Sequence, residues 1–287
     1  MIRIEPAKPS DFERVYPLFL AGFNSDPCQK ERWRALFHYS WPCTDDTRGF
    51  LLMDDEKVVG FFGVILYERT IGGEIEKFGN LTSWITLPEY RNHSLLLFKE
   101  AVSILGRTLT CITPRPEVLP LYLRFGFREL ENSSRILYPI PAFSTPSAWF
   151  RYRATTNPDK IRQRLDENDR ALFEHHRPHP CGNLLIYNRD EYCHVIFTRI
   201  KGRRFGFAYI HHISNFPVFA KNLDRVRFRV ALAAGVPFVM VDTRYLQGMI
   251  PKFSRAVTIG HMPIYKSDRL KPEQIDTLYS EAILLNL

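Results

Sequence analysis

Three consecutive segments constrain the fold of this chain more than any others: β-rich Glu74–Leu87, the apolar helical stretch Ser94–Leu105, and the short run of β-formers Thr108–Thr113. A helix joining two strands of one sheet forces them to lie parallel, because it must pack back on the sheet it leaves. The helix reading rests on Leu95, Leu96, Leu97, Phe98, Ala101, Val102 and Leu105, which fill one broad stripe, with Gly106 where a C-cap belongs. Pro88 ends the first strand, and Pro114 and Pro116 end the second. Upstream, Gly49–Met53 and Lys57–Arg69 flank Asp54-Asp55-Glu56 as a hairpin, and Gly72-Gly73 turns the chain into Glu74. Ile2–Glu5 reads as the first strand. Ser10 with Glu13 reads as a capping box opening a helix with Phe12, Val15 and Phe19 on one face, and Cys28–Tyr39 as a second helix. After the crossover, Glu117–Phe125 allows one or two helical turns before Phe127–Leu130 and Arg135–Tyr138 return as strands. An antiparallel meander with one strand–helix–strand crossover is an α+β (mixed α/β) arrangement, a mostly antiparallel mixed sheet flanked by helices.

A similar order recurs downstream. Pro139, Pro141, Ser144, Thr145, Pro146 and Ser147 form the most loop-like passage of the 287 residues, and it falls at the middle. Beyond it, Pro158–Phe173 reads as helix, Asn183–Tyr187, Tyr192–Ile200 and Arg204–Ile213 as strands, Val218–Ala234 as helix, and Pro237–Val241 as strand. The expectation is two α+β units in tandem, at 1–143 and 144–287, with the second strongly diverged in residues.

Composition removes several classes. With 45% apolar and 24% charged residues the chain is not dominated by disorder. The longest apolar runs, Val58–Tyr67 and Ala231–Val241, fall short of the ~20 residues of a membrane-spanning helix. The opening Met-Ile-Arg-Ile-Glu-Pro lacks the apolar stretch of a secretory peptide, and the five scattered cysteines suit reduced thiols, so a cytoplasmic chain is expected. A net charge of +8 favours an anionic ligand or acceptor. No Walker loop, nucleophile elbow or dinucleotide fingerprint occurs, and no nucleic-acid module is recognisable. The basic residues Arg225, Arg227, Arg229, Lys201, Arg203 and Arg204 form no single stripe and read as solvated surface.

The sharpest local signal is Leu87-Pro88-Glu89-Tyr90-Arg91-Asn92-His93-Ser94, between a strand and an apolar helix. The first turn of such a helix offers unpaired amides and a positive dipole end, and Arg91 stands beside it, so the loop reads as a phosphate or pyrophosphate site. This loop, the helix behind it, and Leu121-Tyr122-Leu123-Arg124-Phe125-Gly126-Phe127 together resemble the GNAT superfamily of acyl-CoA-dependent N-acyltransferases. The family's Tyr-x-x-x-Gly-Phe pattern is met by Tyr122, Gly126 and Phe127; the resemblance covers residues 1–138 in element order. Its loop pattern Arg/Gln-x-x-Gly-x-Gly/Ala is half met, since Arg91 matches while Ser94 and Leu96 stand where glycines belong. Those glycines let a pyrophosphate approach the backbone, so Leu96 would narrow the site if it points at the loop.

The resemblance implies transfer of an acetyl or other acyl group from acyl-CoA, as co-substrate, to a small-molecule or peptide amine acceptor by direct attack. It places Arg91, Asn92, His93, Ser94, Leu95 and Leu96 around the pyrophosphate. It also places Trp84 and Thr86 near the thioester, where Glu74–Leu87 and Thr108–Thr113 splay apart, and Tyr122 as general acid. The strand Gly79–Leu87 supplies Asn80, Thr82, Ser83 and Thr86 but no carboxylate or histidine as base. Glu117 is the nearest acidic residue in sequence. The missing glycines and base also admit a catalytically degenerate scaffold, or an enzyme taking its acyl group from a carrier protein.

Histidine spacing bears on metal binding. His175, His176, His179 and Cys181 cluster, but Pro178 interrupts the helical spacing, and Cys193-His194 supplies no regular second pair, so no metal is expected. His211-His212 on a strand would send one side chain to each face, leaving at most one for a ligand.

Overall fold

The computed structural model describes residues 1–23, 29–140, 151–201 and 205–286. The proposed boundary after residue 143, Pro141–Ser147, Cys28, Arg203 and Arg204 lie outside them. The chain divides into two compact units: Met1–Leu130 with His261–Ile275 and Tyr279–Leu285, and Glu131–Gly260 with Asp276–Leu278. This division differs from the expected 1–143 and 144–287. The strand at Ser133–Leu137 pairs within the second sheet, while the end of the chain returns to the first.

In unit 1 the elements are β1 (Ile2–Ala7), α1 (Phe12–Phe23), α2 (Lys30–Arg34), β2 (Gly49–Asp54), β3 (Lys57–Ile71), β4 (Glu74–Thr86), α3 (Ser94–Val102), β5 (Thr108–Cys111), α4 (Leu119–Arg124) and β6 (Arg128–Glu129). The chain then passes through unit 2 and returns with β14 (Ile264–Lys266) and α9 (Glu281–Leu284). The first sheet has the order β1-β2-β3-β4-β5-β14-β6. β4 and β5 are its parallel pair, joined by α3 as the sequence pattern requires. β14 is antiparallel to both β5 and β6, with Ile264 opposite Cys111 and Glu129.

Alternation along β3 builds the two layers. Phe61 faces α1, its ring 5.7 Å from Phe19 and 5.4 Å from Phe37, whereas Phe62 faces α3, 6.3 Å from Phe98. On the α3 side Phe62, Val64, Leu97, Phe98, Ala101, Leu109, Tyr122 and Phe127 form one buried cluster. The first helix is opened differently from the expected Ser10–Glu13 box. Asp11 accepts from the Lys8 amide at 2.9 Å across a short 3-10 turn, and Glu13 pairs with Lys30 at 2.7 Å and Arg34 at 3.0 Å.

Unit 2 contains β7 (Ser133–Leu137), β8 (Arg153–Thr155), α5 (Pro158–Arg164), α6 (Glu167–His176), β9 (Cys181–Tyr187), β10 (Tyr192–Ile200), β11 (Phe207–Ile213), α7 (Phe216–Lys221), α8 (Leu223–Ala234), β12 (Phe238–Asp242) and β13 (Ser254–Thr258). Its sheet runs β13-β7-β12-β11-β10-β9-β8, with β11 and β12 parallel. Both long helices expected here are broken. Leu165 is extended and the Asp166 carboxylate caps α6 by accepting from the Asp169 amide at 2.8 Å, and Asn222 separates α7 from α8.

Two expectations are corrected in this unit. Arg227 is not solvated surface: its side chain is 1% exposed, paired with Asp224 and donating to the Lys252 carbonyl at 2.9 Å. His211 and His212 do not face opposite sides of the sheet. The pairing shifts from Ile196↔His212 to Phe197↔Ile210, a bulge that breaks the alternation. His211 reaches Thr198 at 2.9 Å, and His212 lies with its ring 6.0 Å from His194; Thr198 and His194 share one face of β10. Among the described residues no helix is long and apolar enough to cross a membrane.

Candidate active site

The site is built where β4 and β5 part. Their parallel pairing runs through Phe78↔Thr108, Gly79↔Leu109 and Asn80↔Thr110 and then stops, although β4 stays paired with β3 as far as Thr86↔Gly60. A register shift in the β3–β4 ladder, with Ser83 at φ +52°, marks a bulge just past the parting. An L-residue in that left-handed region carries strain, and the bulge turns β4 away from β5.

At the parting sits a polar cluster that the sequence reading missed. Asn80 donates through Nδ2 to Glu281 Oε2, Thr113 donates to Glu281 Oε1, and Thr110 donates to Asn80 Oδ1 at 3.0 Å. Glu281 is 1% exposed and Asn80 fully buried. Burial pushes the Glu281 carboxyl above the ordinary glutamate value, and the Thr113 and Asn80 donors oppose that rise. The segment bearing it is anchored by rings: Tyr279 stacks on Tyr67 at 4.6 Å, Tyr67 on Phe78 at 4.7 Å, and Trp41 meets Tyr279 edge-on at 5.0 Å. One signal for it was present in the sequence, a lone carboxylate beside Ala282, Ile283, Leu284 and Leu285. Glu117, by contrast, is exposed.

Tyr122 joins this cluster through β5. Its ring is 3% exposed and packs edge-on against Phe98 at 5.0 Å and Phe127 at 5.1 Å. Its hydroxyl donates to the Cys111 thiol, and burial, with Cys111 and Glu281 nearby, raises the phenol well above its usual value. The Tyr-x-x-x-Gly-Phe spacing now has a cause. α4 ends in a Schellman motif, with the Phe127 amide on the Tyr122 carbonyl at 3.2 Å and the Gly126 amide on the Leu123 carbonyl at 3.1 Å. Gly126 takes φ +84°, which folds Phe127 back beneath Tyr122.

The loop residues lie at the other end of β4. Pro88–His93 form a 3-10 helix running into α3, and the Ser94 amide is bonded to the Arg91 carbonyl. Tyr90 ties this turn to β2 through a 2.8 Å bond to Asp54. Arg91 and Asn92 are exposed, His93 and Ser94 half-buried, and Thr86 Oγ1 lies 3.0 Å from Ser94 Oγ. Leu95 and Leu96 are 45% and 43% exposed, outside the core that Leu97 and Phe98 enter. Trp84 packs its ring on Phe62 and Phe98, while its buried indole N–H lacks a hydrogen-bond partner among the described residues.

The model of the acetyltransferase (GNAT) domain matches residues 3–129. The match spans under half of the chain. The similarity of fold reaches further than this GNAT domain. A GCN5-related N-acetyltransferase from Anabaena variabilis superposes with a TM-score of 0.59 at 12% identity, covering 92% of this chain and 72% of its own. One from Kribbella flavida gives 0.55 at 12%, covering 92% and 70%, and Eis1 from Mycobacterium abscessus 0.55 at 13%, covering 93% and 73%. At these identities the likeness is one of fold. No curated protein sequence matches the chain.

Proposed function

We propose that this protein is an N-acyltransferase in which an amine acceptor attacks an acyl-CoA thioester at the parting of β4 and β5. The observation that carries the reading is the buried Asn80–Glu281–Thr113 cluster at that parting, within the unit that holds the GNAT domain. Glu281 serves as general base: its carboxylate takes the ammonium proton of the acceptor, which then attacks the thioester carbon. Backbone groups of β4 near Trp84 and Thr86 hold the developing oxyanion. Collapse of the tetrahedral species breaks the carbon–sulfur bond: Tyr122, protonated throughout the physiological range, gives its proton to the leaving thiolate, the second proton of the attacking nitrogen passes to the phenolate as the amide forms, and Glu281 releases the first to solvent. Arg91, Asn92, His93, Ser94, Leu95 and Leu96 line the approach of the pyrophosphate, with Ser94 Oγ and the Arg91 charge as donors and the outward Leu96 leaving the loop open. The acceptor is a small-molecule or peptide amine, and the net charge of +8 favours one bearing negative charge.

Titration calorimetry with acetyl-CoA and longer acyl-CoAs tests the donor; saturable binding is expected, and its absence for every thioester defeats the reading. Tyr122→Phe is expected to lower kcat about 10²-fold with acyl-CoA affinity retained. Arg91→Glu is expected to weaken acyl-CoA binding about tenfold, roughly 1.4 kcal/mol, while leaving kcat at saturating donor near its original value.

A further inference from the structure

In unit 2, α6, β10 and β11 bring together three groups suited to a metal ion. Ligand atoms of Asp169, His194 and His212 all lie within 4.8 Å of one another. His212 Nε2 stands 3.6 Å from Asp169 Oδ1, beyond a hydrogen bond, and has no hydrogen-bond partner among the described residues. His194 is fully buried, and its Nε2 lies 2.9 Å from Asn183 Oδ1. An amide oxygen only accepts, so Nε2 carries the proton and Nδ1 keeps its lone pair. That Nδ1 is buried without a partner, a costly arrangement unless something electrophilic meets it.

The surroundings match those of a ligand set. Burial drives the His194 imidazole down to about 3, which keeps it neutral. Asn183 fixes the tautomer of His194, as outer partners of metal-bound histidines do. The His212 and Asp169 side chains are 15% and 12% exposed, so an ion has a route from solvent. The neighbouring histidines are already committed. His176 has both ring nitrogens on the Leu172 and Leu278 carbonyls, and His211 has its own on Thr198 and Thr277. Only the bulge in β11 puts His212 on the face of His194.

We propose that Asp169, His194 and His212 bind one divalent transition-metal ion of the zinc class, tying α6 to β10 and β11. Two imidazoles and a carboxylate are donors that this class accepts at ~2.0–2.2 Å, within reach of small rotations of the three side chains. The set leaves a coordination position for water. Nothing in this inference depends on the acyl-transfer reading.

The full chain, freed of metal by chelator and dialysis, is titrated with Zn²⁺ by calorimetry and with Co²⁺ by visible absorption. One equivalent is expected, with Co²⁺ d–d bands of a four- or five-coordinate nitrogen and oxygen site and a higher unfolding temperature in Zn²⁺. His212→Ala and Asp169→Asn are each expected to weaken binding at least tenfold, while His175→Ala leaves it unchanged. A featureless Co²⁺ spectrum, a sulfur-to-cobalt charge-transfer band marking a cysteine site, or unchanged binding in both folded variants overturns the proposal. Should either variant fail to fold, the Co²⁺ spectrum of the unaltered protein decides.

Discussion

Glu281→Gln is expected to lower kcat about 10³-fold, within the range that a positioned general base contributes, with little change in acyl-CoA affinity. Glutamine keeps the size of the side chain, can accept from Asn80 through its oxygen and donate to Thr113 Oγ1 through its amide, but cannot take a proton. The pH profile carries the sharper test. Burial raises the Glu281 carboxyl, so the base is ionised only at higher pH than a free glutamate, and kcat should climb with pH through that raised value. The variant should lose this limb. Stability follows the opposite sign. A carboxyl raised by folding favours the native state fully below its unfolded value, and that contribution fades as pH rises through the folded value. The unfolding temperature of Glu281→Gln relative to the unaltered protein should therefore improve between pH 4 and pH 8. An unchanged kcat and a flat stability difference would remove Glu281 from the mechanism.

Arg227→Ala is expected to destabilise unit 2 by about 3–5 kcal/mol, the cost of breaking a buried pair from one side. Truncation removes the counter-charge of Asp224, leaves the Lys252 carbonyl without its donor, and opens a cavity under α8. The Lys252 bond also fixes the approach to β13, where Gln247, Gly248 and Phe253 all take positive φ. Replacing the pair together, with Arg227→Met and Asp224→Leu, should recover most of the loss, because matched apolar side chains need no partner. Thermal unfolding of the three proteins checks this, and a single variant as stable as the double one would mean that the pair is solvated.

The sequence carried the crossover well. Of the expected stripe, Leu97, Phe98, Ala101 and Val102 enter the core while Leu95, Leu96 and Leu105 stay exposed, because one helix face cannot hold so many consecutive residues, and Gly126 turns where the Tyr-x-x-x-Gly-Phe spacing demands. Four features escaped it, each for a physical reason. Glu281 meets Asn80 across 201 positions, and no local periodicity reports a contact that only tertiary folding makes. β14 is three residues long, too short to show alternation, yet it sits between β5 and β6. The bulge in β11 breaks the two-residue period on which the reading of His211 and His212 depended. The fourth is the burial of Arg227: an arginine on an amphipathic helix is ordinarily solvated, and burial of one is set by a partner such as Asp224.

The return of the chain to unit 1 has a consequence for biosynthesis. A ribosome that has just released Leu130 into solution has made β5 and β6 but neither the strand that joins them nor the carboxylate at the parting. Two sheet edges stay open while the whole of the other unit is translated, and nascent chains stalled there should be prone to edge-to-edge pairing. If Glu281 is the base, competence would wait until Tyr279–Leu285 has joined unit 1.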